Sequence, residues 1–558
     1  MLAAGGGHTK VMELLVGKGA KLSLVDSFGF NIIHSACHGG DLEMVKYVLS
    51  QTMLDINGGV QCGRTAMMLA AENGHKDVVE LLVDTGADVS LVDETGDNIL
   101  HCACRGGDVE VVQYILSQNM VDINSLGHEK KTPVMLAGQY GHKEVVEVLV
   151  KHGANLSLRD KVGDNILHLA CFKGHVDVVK YIISLHRVYI DSRGFERKTP
   201  VMKAGEGGHK EVVEFLVNHG ADLALRDSDT NIILHLISYW GGSVDVGKYV
   251  LSQHKVNINQ RGWRNRPPVL VAGENGYKDL VELFVKHGAK LSLKDRRKMN
   301  ILHCASDKGH LAVVMYIVSL HSVDIDSEGF ENKTPMMFAG QSGHKDVVEF
   351  LVNHGADLAH RDSDTNIILH LISYWGGSVD VGKYVLSQHK VNINQRGWRN
   401  RPPVLVAGEN GYKDLVELFV KHGAKLSLKD SHKMNILHCA SDKGHLAVVM
   451  YIVSLHSVDI DSEGLENKTP MMFAGQNGHK DVVEFLVNHG AQLSLADREG
   501  NNILLLAVSH VEVVKYILSL GVVNIDAKNR KGESAAMRAK ARRQRDVLDV
   551  LVSHGGHT

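Results

Sequence analysis

Two short phrases recur along this chain and fix most of what it can become. GHKEVVEVLVKHGANLSL begins at Gly141 and GHKEVVEFLVNHGADLAL at Gly208, with related segments from Gly74, Gly343 and Gly478. Between them stands a second type, NILHLACFKGHVDVVKYIISL from Asn165, with relatives at Asn98, Asn300 and Asn435. The types alternate at about 34 and 33 residues. At that period each repeat is one supersecondary unit that cannot bury its apolar face alone, so the repeats must stack. A chain of 558 residues is otherwise too long for one ordinary core.

The register follows from the punctuation. In Gly127–Arg159, Thr132 is placed to cap a helix, and Pro133 takes its first position, where a missing N–H costs nothing. That helix carries Met135, Leu136 and Ala137 and stops near Gly141. A second helix starts near Lys143. Its Val145, Val146, Leu149 and Val150 have the spacing of one buried face, and Gly153 ends it. A polar connection from Asn155 to Lys161 follows. One repeat type opens on Thr-Pro (Thr132, Thr199, Thr334, Thr469). The other opens on Asn (Asn98, Asn165, Asn300, Asn435) and keeps a histidine three residues later (His101, His168, His303, His438). All eight prolines fall at helix starts. Residues 208–356 and 343–491 are the same text shifted by 135, with six differences, as if four repeats had been copied together.

The words Thr-Pro, Leu-His-x-Ala, Gly-His, Val-Val-x-x-Leu and Gly-Ala resemble the ankyrin-repeat family, about sixteen times over and along nearly the whole chain. The resemblance implies an all-α solenoid of paired antiparallel helices joined by β-hairpin-like loops. It implies histidines used for structural hydrogen bonds, and partners bound through the loops and the concave face of the first helices. The organisation reads as a partial repeat over 1–25, an array over 26–528 and a degenerate capping repeat over 529–558. Met1-Leu2-Ala3-Ala4 aligns with Met68-Leu69-Ala70-Ala71, so the start reads as truncated. The expected function is a non-catalytic protein–protein interaction scaffold or adaptor. The alternatives are a recruitment subunit of a ubiquitin ligase or phosphatase, or the cytosolic repeat portion of a larger membrane-linked or cytoskeletal protein.

Composition fits this reading. Lys and Arg number 61 against 64 Asp and Glu, a net charge of −3, so no global basic footprint for nucleic acid exists. No apolar run reaches the roughly 20 residues that span a bilayer, and the N-terminus lacks a signal peptide's plan. Seven cysteines without a CxxC pair point to a reduced compartment. The expected picture is a cytoplasmic or nuclear monomer that binds other proteins, without cofactor, metal or catalytic residues. His360-Arg361-Asp362 has the letters of a kinase catalytic triplet, but its duplicate is Leu225-Arg226-Asp227 and the rest of that signature is absent. The five basic residues Arg538, Lys540, Arg542, Arg543 and Arg545 read as a solvated end helix.

Departures from the repeat are the places to look for a partner site. The only tryptophans are Trp240, Trp263, Trp375 and Trp398, two in each copied block. Tyr239-Trp240 closes a first helix just before an extra residue in Gly241-Gly242-Ser243. Trp263 lies in the next loop, inside Arg261-Gly262-Trp263-Arg264-Asn265-Arg266, where Thr-Pro has become Pro267-Pro268. Tryptophan and arginine at exposed positions have the composition of an interface hot spot. Tyr239, Trp240, Trp263 and Arg264, with Tyr374, Trp375, Trp398 and Arg399, are therefore the candidate docking residues. A second candidate chemistry is asparagine hydroxylation, as the family resemblance implies. Asn57, Asn124, Asn259 and Asn394 each follow a leucine by eight residues, a spacing that the repeat alone also produces.

Overall fold

A computed structural model describes residues 1–51, 55–60, 62–119 and 121–558. The elementary piece is a helix, a tight turn, a second helix and a return loop. In the Asn165 repeat the first helix is Ile166–Lys173. Asn165 caps it, its Oδ1 accepting the N–H groups of Leu167 (3.1 Å) and His168 (3.2 Å). Gly174 ends it with φ 79°, a left-handed conformation that glycine adopts without strain. The second helix, Val176–Ser184, buries Val178, Val179 and Ile182. Burial of such a stripe gives each short helix the stability that nine residues lack alone.

The two openings are not equivalent. Asn98, Asn165, Asn300 and Asn435 all cap by side chain. Thr334 and Thr469 accept their cap bonds at 3.4 Å, whereas Thr132, expected to cap, makes no cap bond. Thr199 likewise makes none, although proline follows all four threonines, so the Thr-Pro opening occurs with and without the bond.

Three kinds of hydrogen bond recur between repeats. First, a buried histidine of the Asn-type helix links cap to loop. His168 Nδ1 accepts the Asn165 N–H (3.3 Å) and Nε2 donates to the Ser192 carbonyl (3.0 Å). Second, the Gly-His histidine that opens a second helix donates back to the end of the preceding first helix, as His175 does to Gln139 (2.9 Å). Third, loop tips join. The Lys161 N–H meets the Glu129 carbonyl at 2.7 Å, and Glu129 holds the left-handed φ of 54° that turns its carbonyl outward.

The chain divides into two compact units. One is Met1–Ala272 with Asp279–Lys290; the other is Gly273–Lys278 with Leu291–Thr558. Each is an all-α stack of these repeats. In the second unit the same ties recur: His370 to Arg401 (3.0 Å), His445 to Glu409 (2.9 Å) and the Ser363 N–H to Glu331 (2.8 Å). The hairpin-like loops carry only isolated antiparallel bridges, Gly59 with Thr65 and Val92 with Asn98, among the described residues. First helices of neighbouring repeats approach closely. A Cβ on Gly138 would strike Ile166 Cγ1, and the same holds for Gly408 against Ile436. No helix among the described residues is long and apolar enough to cross a membrane.

Burial holds His168, His235, His303, His370 and His438 neutral, with pKa values lowered to about 4 from 6.5. The unfolded chain therefore binds protons at these groups below pH 6.5 while the fold does not. Stability is complete above that pH and is lost as pH falls towards 4. Burial raises Asp160, Asp227 and Asp362, which favours the acidic fold and opposes part of the loss near its lower end. Urea titrations at pH 7.5 and pH 5 check this. The expected loss is on the order of 2 kcal/mol per buried histidine at pH 5, and replacing His168 by Gln should flatten the dependence locally.

Candidate docking site

The pocket repeat differs from its neighbours at its cap. Ile232 stands where Asn165 stands one repeat pair earlier, so the side-chain cap is gone. His235 remains: Nδ1 accepts the Ile232 N–H (3.2 Å) and Nε2 donates to the Arg266 carbonyl (3.0 Å). One residue upstream, Asn231 Oδ1 accepts the Trp263 N–H (3.0 Å), as Asp164 does for Phe195 (2.7 Å). The helix Ile233–Tyr239 ends at Trp240, whose backbone is extended (φ −122°, ψ 90°). Gly241 and Gly242 follow, both left-handed at φ 85° and 61°. Ser243 caps the next helix by accepting the Val246 N–H (3.4 Å). In the second copy Tyr412 replaces the Gly-His histidine, and its hydroxyl accepts the Gly376 N–H (3.1 Å). The extra residue and, in the second copy, the tyrosine belong to one widened turn that carries a tryptophan at its start.

That turn opens a pocket. In the first unit it measures about 230 Å³ and has Leu236, Tyr239, Trp240 and Trp263 as its apolar lining. Glu196, Lys198, Asp227, Asp229 and Asn231 form the polar side. In the second unit the duplicate measures about 250 Å³, with Leu371, Tyr374, Trp375 and Trp398 facing Glu331, Lys333, Asp362, Asp364 and Asn366. The candidate aromatic residues thus converge in each copy. Trp240 and Trp375 are 59% and 58% exposed, Trp263 and Trp398 39% and 42%. A tryptophan filling the space left by the extra residue would be buried, and these are not.

Two expectations change. Tyr239 and Tyr374 are half-buried, forming floor rather than rim, because they sit on the last turn of the helix facing its neighbour; burial pushes the Tyr374 phenol up. Arg264 and Arg399 are exposed, yet each lies over the ring of its own neighbour, with the guanidinium carbon 4.1 Å from the Trp263 or Trp398 centroid. They lie outside the lining of the pockets. The acidic side was missed in the sequence, although the run Arg226-Asp227-Ser228-Asp229-Thr230-Asn231 and its copy carry it. Asp227 is buried, accepts the Asp229 and Asn231 N–H groups, and has its carboxyl raised by burial. Thr230 and Thr365 occupy φ 66° and 64°, where the Asn165 repeat has Gly163; for a β-branched residue this is a strained turn beside the pocket. Burial opposes the charge on Lys198, but ion pairs with Glu206 (2.6 Å) and Glu196 (2.8 Å) raise its pKa overall.

The hydroxylation candidates are loop ties. Asn57, Asn124, Asn259 and Asn394 are half-buried. Their Oδ1 atoms accept the N–H of Asp88, Asn155, Lys290 and Lys425 respectively, each at 2.8 Å. Asp191, Asp326 and Asp461 do the same elsewhere in the array. No group of three or more His, Cys, Asp or Glu among the described residues is arranged to hold a metal ion, and burial raises the thiols of Cys104 and Cys171 well above their usual range.

In the Asn165 repeat the place of the pocket is filled. Phe172 and Phe195 stand where Tyr239 and Trp263 stand later. Lys203 Nζ lies 5.8 and 5.4 Å from their centroids and 3.0 Å from Asp164.

A family model described as ankyrin repeats (3 copies) matches in overlapping segments over 1–262 and 269–529. The human transient receptor potential cation channel subfamily A member 1 is 23% identical over 486 residues, 78% of this chain and 43% of that protein. The Caenorhabditis elegans ankyrin repeat and KH domain-containing protein mask-1 is 28% identical over 504 residues, 85% of this chain and 17% of that protein. The chain therefore spans less than half the length of either relative. Among solved structures, the human ASB11 ankyrin repeat domain matches at 24% identity, covering 40% of this chain and 96% of that one, with a TM-score of 0.35.

The filled pocket makes a prediction. Lys203→Met leaves Asp164, itself buried, without its cation, and should cost about 3–5 kcal/mol by urea denaturation. The equivalent Val406→Met breaks no ion pair but adds volume at a fully buried position, and should cost about 1–3 kcal/mol.

Proposed function

The chain belongs to the ankyrin-repeat family, and on that footing we propose that it is a non-catalytic protein–protein interaction scaffold whose partners dock at the two tryptophan pockets. The observation that carries the placement is convergence. Tyr239, Trp240 and Trp263 in one unit, and Tyr374, Trp375 and Trp398 in the other, line one pocket each. Exposed tryptophans around a concavity are the residues that dominate binding energy in interfaces. Arg264 and Arg399 belong to the site as braces that hold the loop tryptophans. The scaffold acts as a monomer in the cytoplasm or nucleus, without cofactor and without nucleic acid.

A second reading is favoured by the coverage of the relatives: the array is the cytosolic repeat portion of a larger membrane-linked protein. Both readings use the same docking pockets. Affinity purification with mass spectrometry compares the protein with its four-tryptophan-to-alanine variant. Loss of at least one partner by about tenfold or more is the expected result; an unchanged partner list discards the pockets.

Hydroxylation of Asn57, Asn124, Asn259 and Asn394 is a separate proposal with a stated cost. The hydroxylase must first open a loop tie whose replacement by aspartate elsewhere shows that an acceptor oxygen is what the stack uses. Peptide mass spectrometry from hydroxylase-competent cells should find a mass increment of about 16 Da on at least one of the four; all four unmodified rejects it.

A further inference from the structure

The chain itself shows what an aromatic pocket at this place holds. In the Asn165 repeat it holds a lysine: Lys203 lies between Phe172 and Phe195 and is paired with Asp164. One repeat pair later the rings are kept and enlarged. Phe172 becomes Tyr239, Phe195 becomes Trp263, and Lys173 becomes Trp240. The cation is withdrawn, because the position of Lys203 is Val271, and Val406 in the copy, both buried. Asp164 becomes the neutral Asn231. Negative charge on the loops is kept and increased: Glu196 and Asp227 stand where the Asn165 repeat has Glu129 and Asp160, and Asp229 is added where it has Val162, with Glu331, Asp362 and Asp364 in the copy. One cation faces these three carboxylates in each pocket. Lys198 is already committed to Glu196 and Glu206, and Lys333 pairs with Glu331 at 2.9 Å and donates to Gln341 at 3.1 Å. Arg264 and Arg399 cover the loop tryptophans, which leaves the exposed Trp240 and Trp375 rings to an incoming group.

We propose that each pocket takes one lysine or arginine side chain from an extended segment of a partner protein, its cation against Trp240 or Trp375 and beside the exposed Asp229 or Asp364. This rests on the reading of the pockets as docking sites and names their occupant. The attraction is of two kinds acting together: a cation over an indole face, and a carboxylate within a partly desolvated cleft. The chemistry is the one Lys203 satisfies within the chain, a cation met by aromatic rings and a carboxylate, here supplied by neighbouring positions with the cation delivered from outside.

The test uses the full chain, whose four tryptophans all line these pockets, so intrinsic tryptophan fluorescence reports from nowhere else. The probes are acetyl-Gly-Ser-X-Ser-Gly-amide peptides with X as Lys, Arg, Gln, Leu or Glu. Lys and Arg should bind roughly fivefold or more tighter than Gln and Leu at low salt, with the preference shrinking as salt rises. The pair D229N and D364N alters exposed carboxylates outside the core. It should reduce that preference to about twofold or less with unchanged thermal unfolding. Gln or Leu binding as tightly as Lys, Glu binding tightest, a preference that survives D229N with D364N, or no fluorescence change with any peptide would each overturn the proposal. The docking reading is judged separately by the four-tryptophan variant. If that variant loses partners while the peptides show no cationic preference, the pockets stand and only their occupant falls.

Discussion

A buried imidazole that donates to the carbonyl of a neighbouring loop is the bond on which each stack depends. His168 and His370 show why a neutral histidine is suited to it. One ring nitrogen accepts an N–H at the head of a helix while the other donates across to the loop that leads into the next repeat. Lysine has no acceptor, and glutamine on a flexible stem would have to be held in place. The ring is rigid, reaches both partners at once, and closes off two backbone groups that burial would otherwise leave unpaired. The glycines at the close approaches, the left-handed loop tips and the helix caps all set distances that this bond requires.

Much of the fold was legible because repetition averages out the uncertainty of any single segment. The prolines at helix starts, the Val-Val-x-x-Leu faces and the terminal glycines each appear many times, and the helices Pro133–Tyr140 and Lys143–Lys151 lie where those marks put them. The threonine caps were less legible. Thr132 has the right identity and position, yet its hydroxyl makes no cap bond, while Thr334 and Thr469, also followed by proline, do. Proline holds the helix start in all three, so the same two letters are compatible with either outcome.

The docking site was legible in one half. Tryptophan is rare here, so Trp240 and Trp263 announced themselves, and the structure brings them to one pocket with Tyr239. The acidic half was hidden because Asp227 looks like the loop aspartates of every other repeat. Only the fold shows that Glu196, from one loop earlier, lies on the same rim. Arg264 was legible as a residue and misleading as a role, since its guanidinium is spent on Trp263. Side-chain partnership across loops about 30 or more residues apart is information that spacing within a repeat does not carry.

The alternation of two repeat types constrains how such a chain can lengthen. A proline-opened helix presents a glycine, as at Gly138 or Gly408, to the isoleucine of the Asn-type helix that follows, Ile166 or Ile436. Insertion of a single repeat would set like against like, leaving either a glycine gap unfilled or an isoleucine without room. Growth is therefore by even numbers of repeats. The copied block obeys this, carrying four repeats, and the second pocket arises with it, so one copying event of 135 residues doubled the valency of the surface.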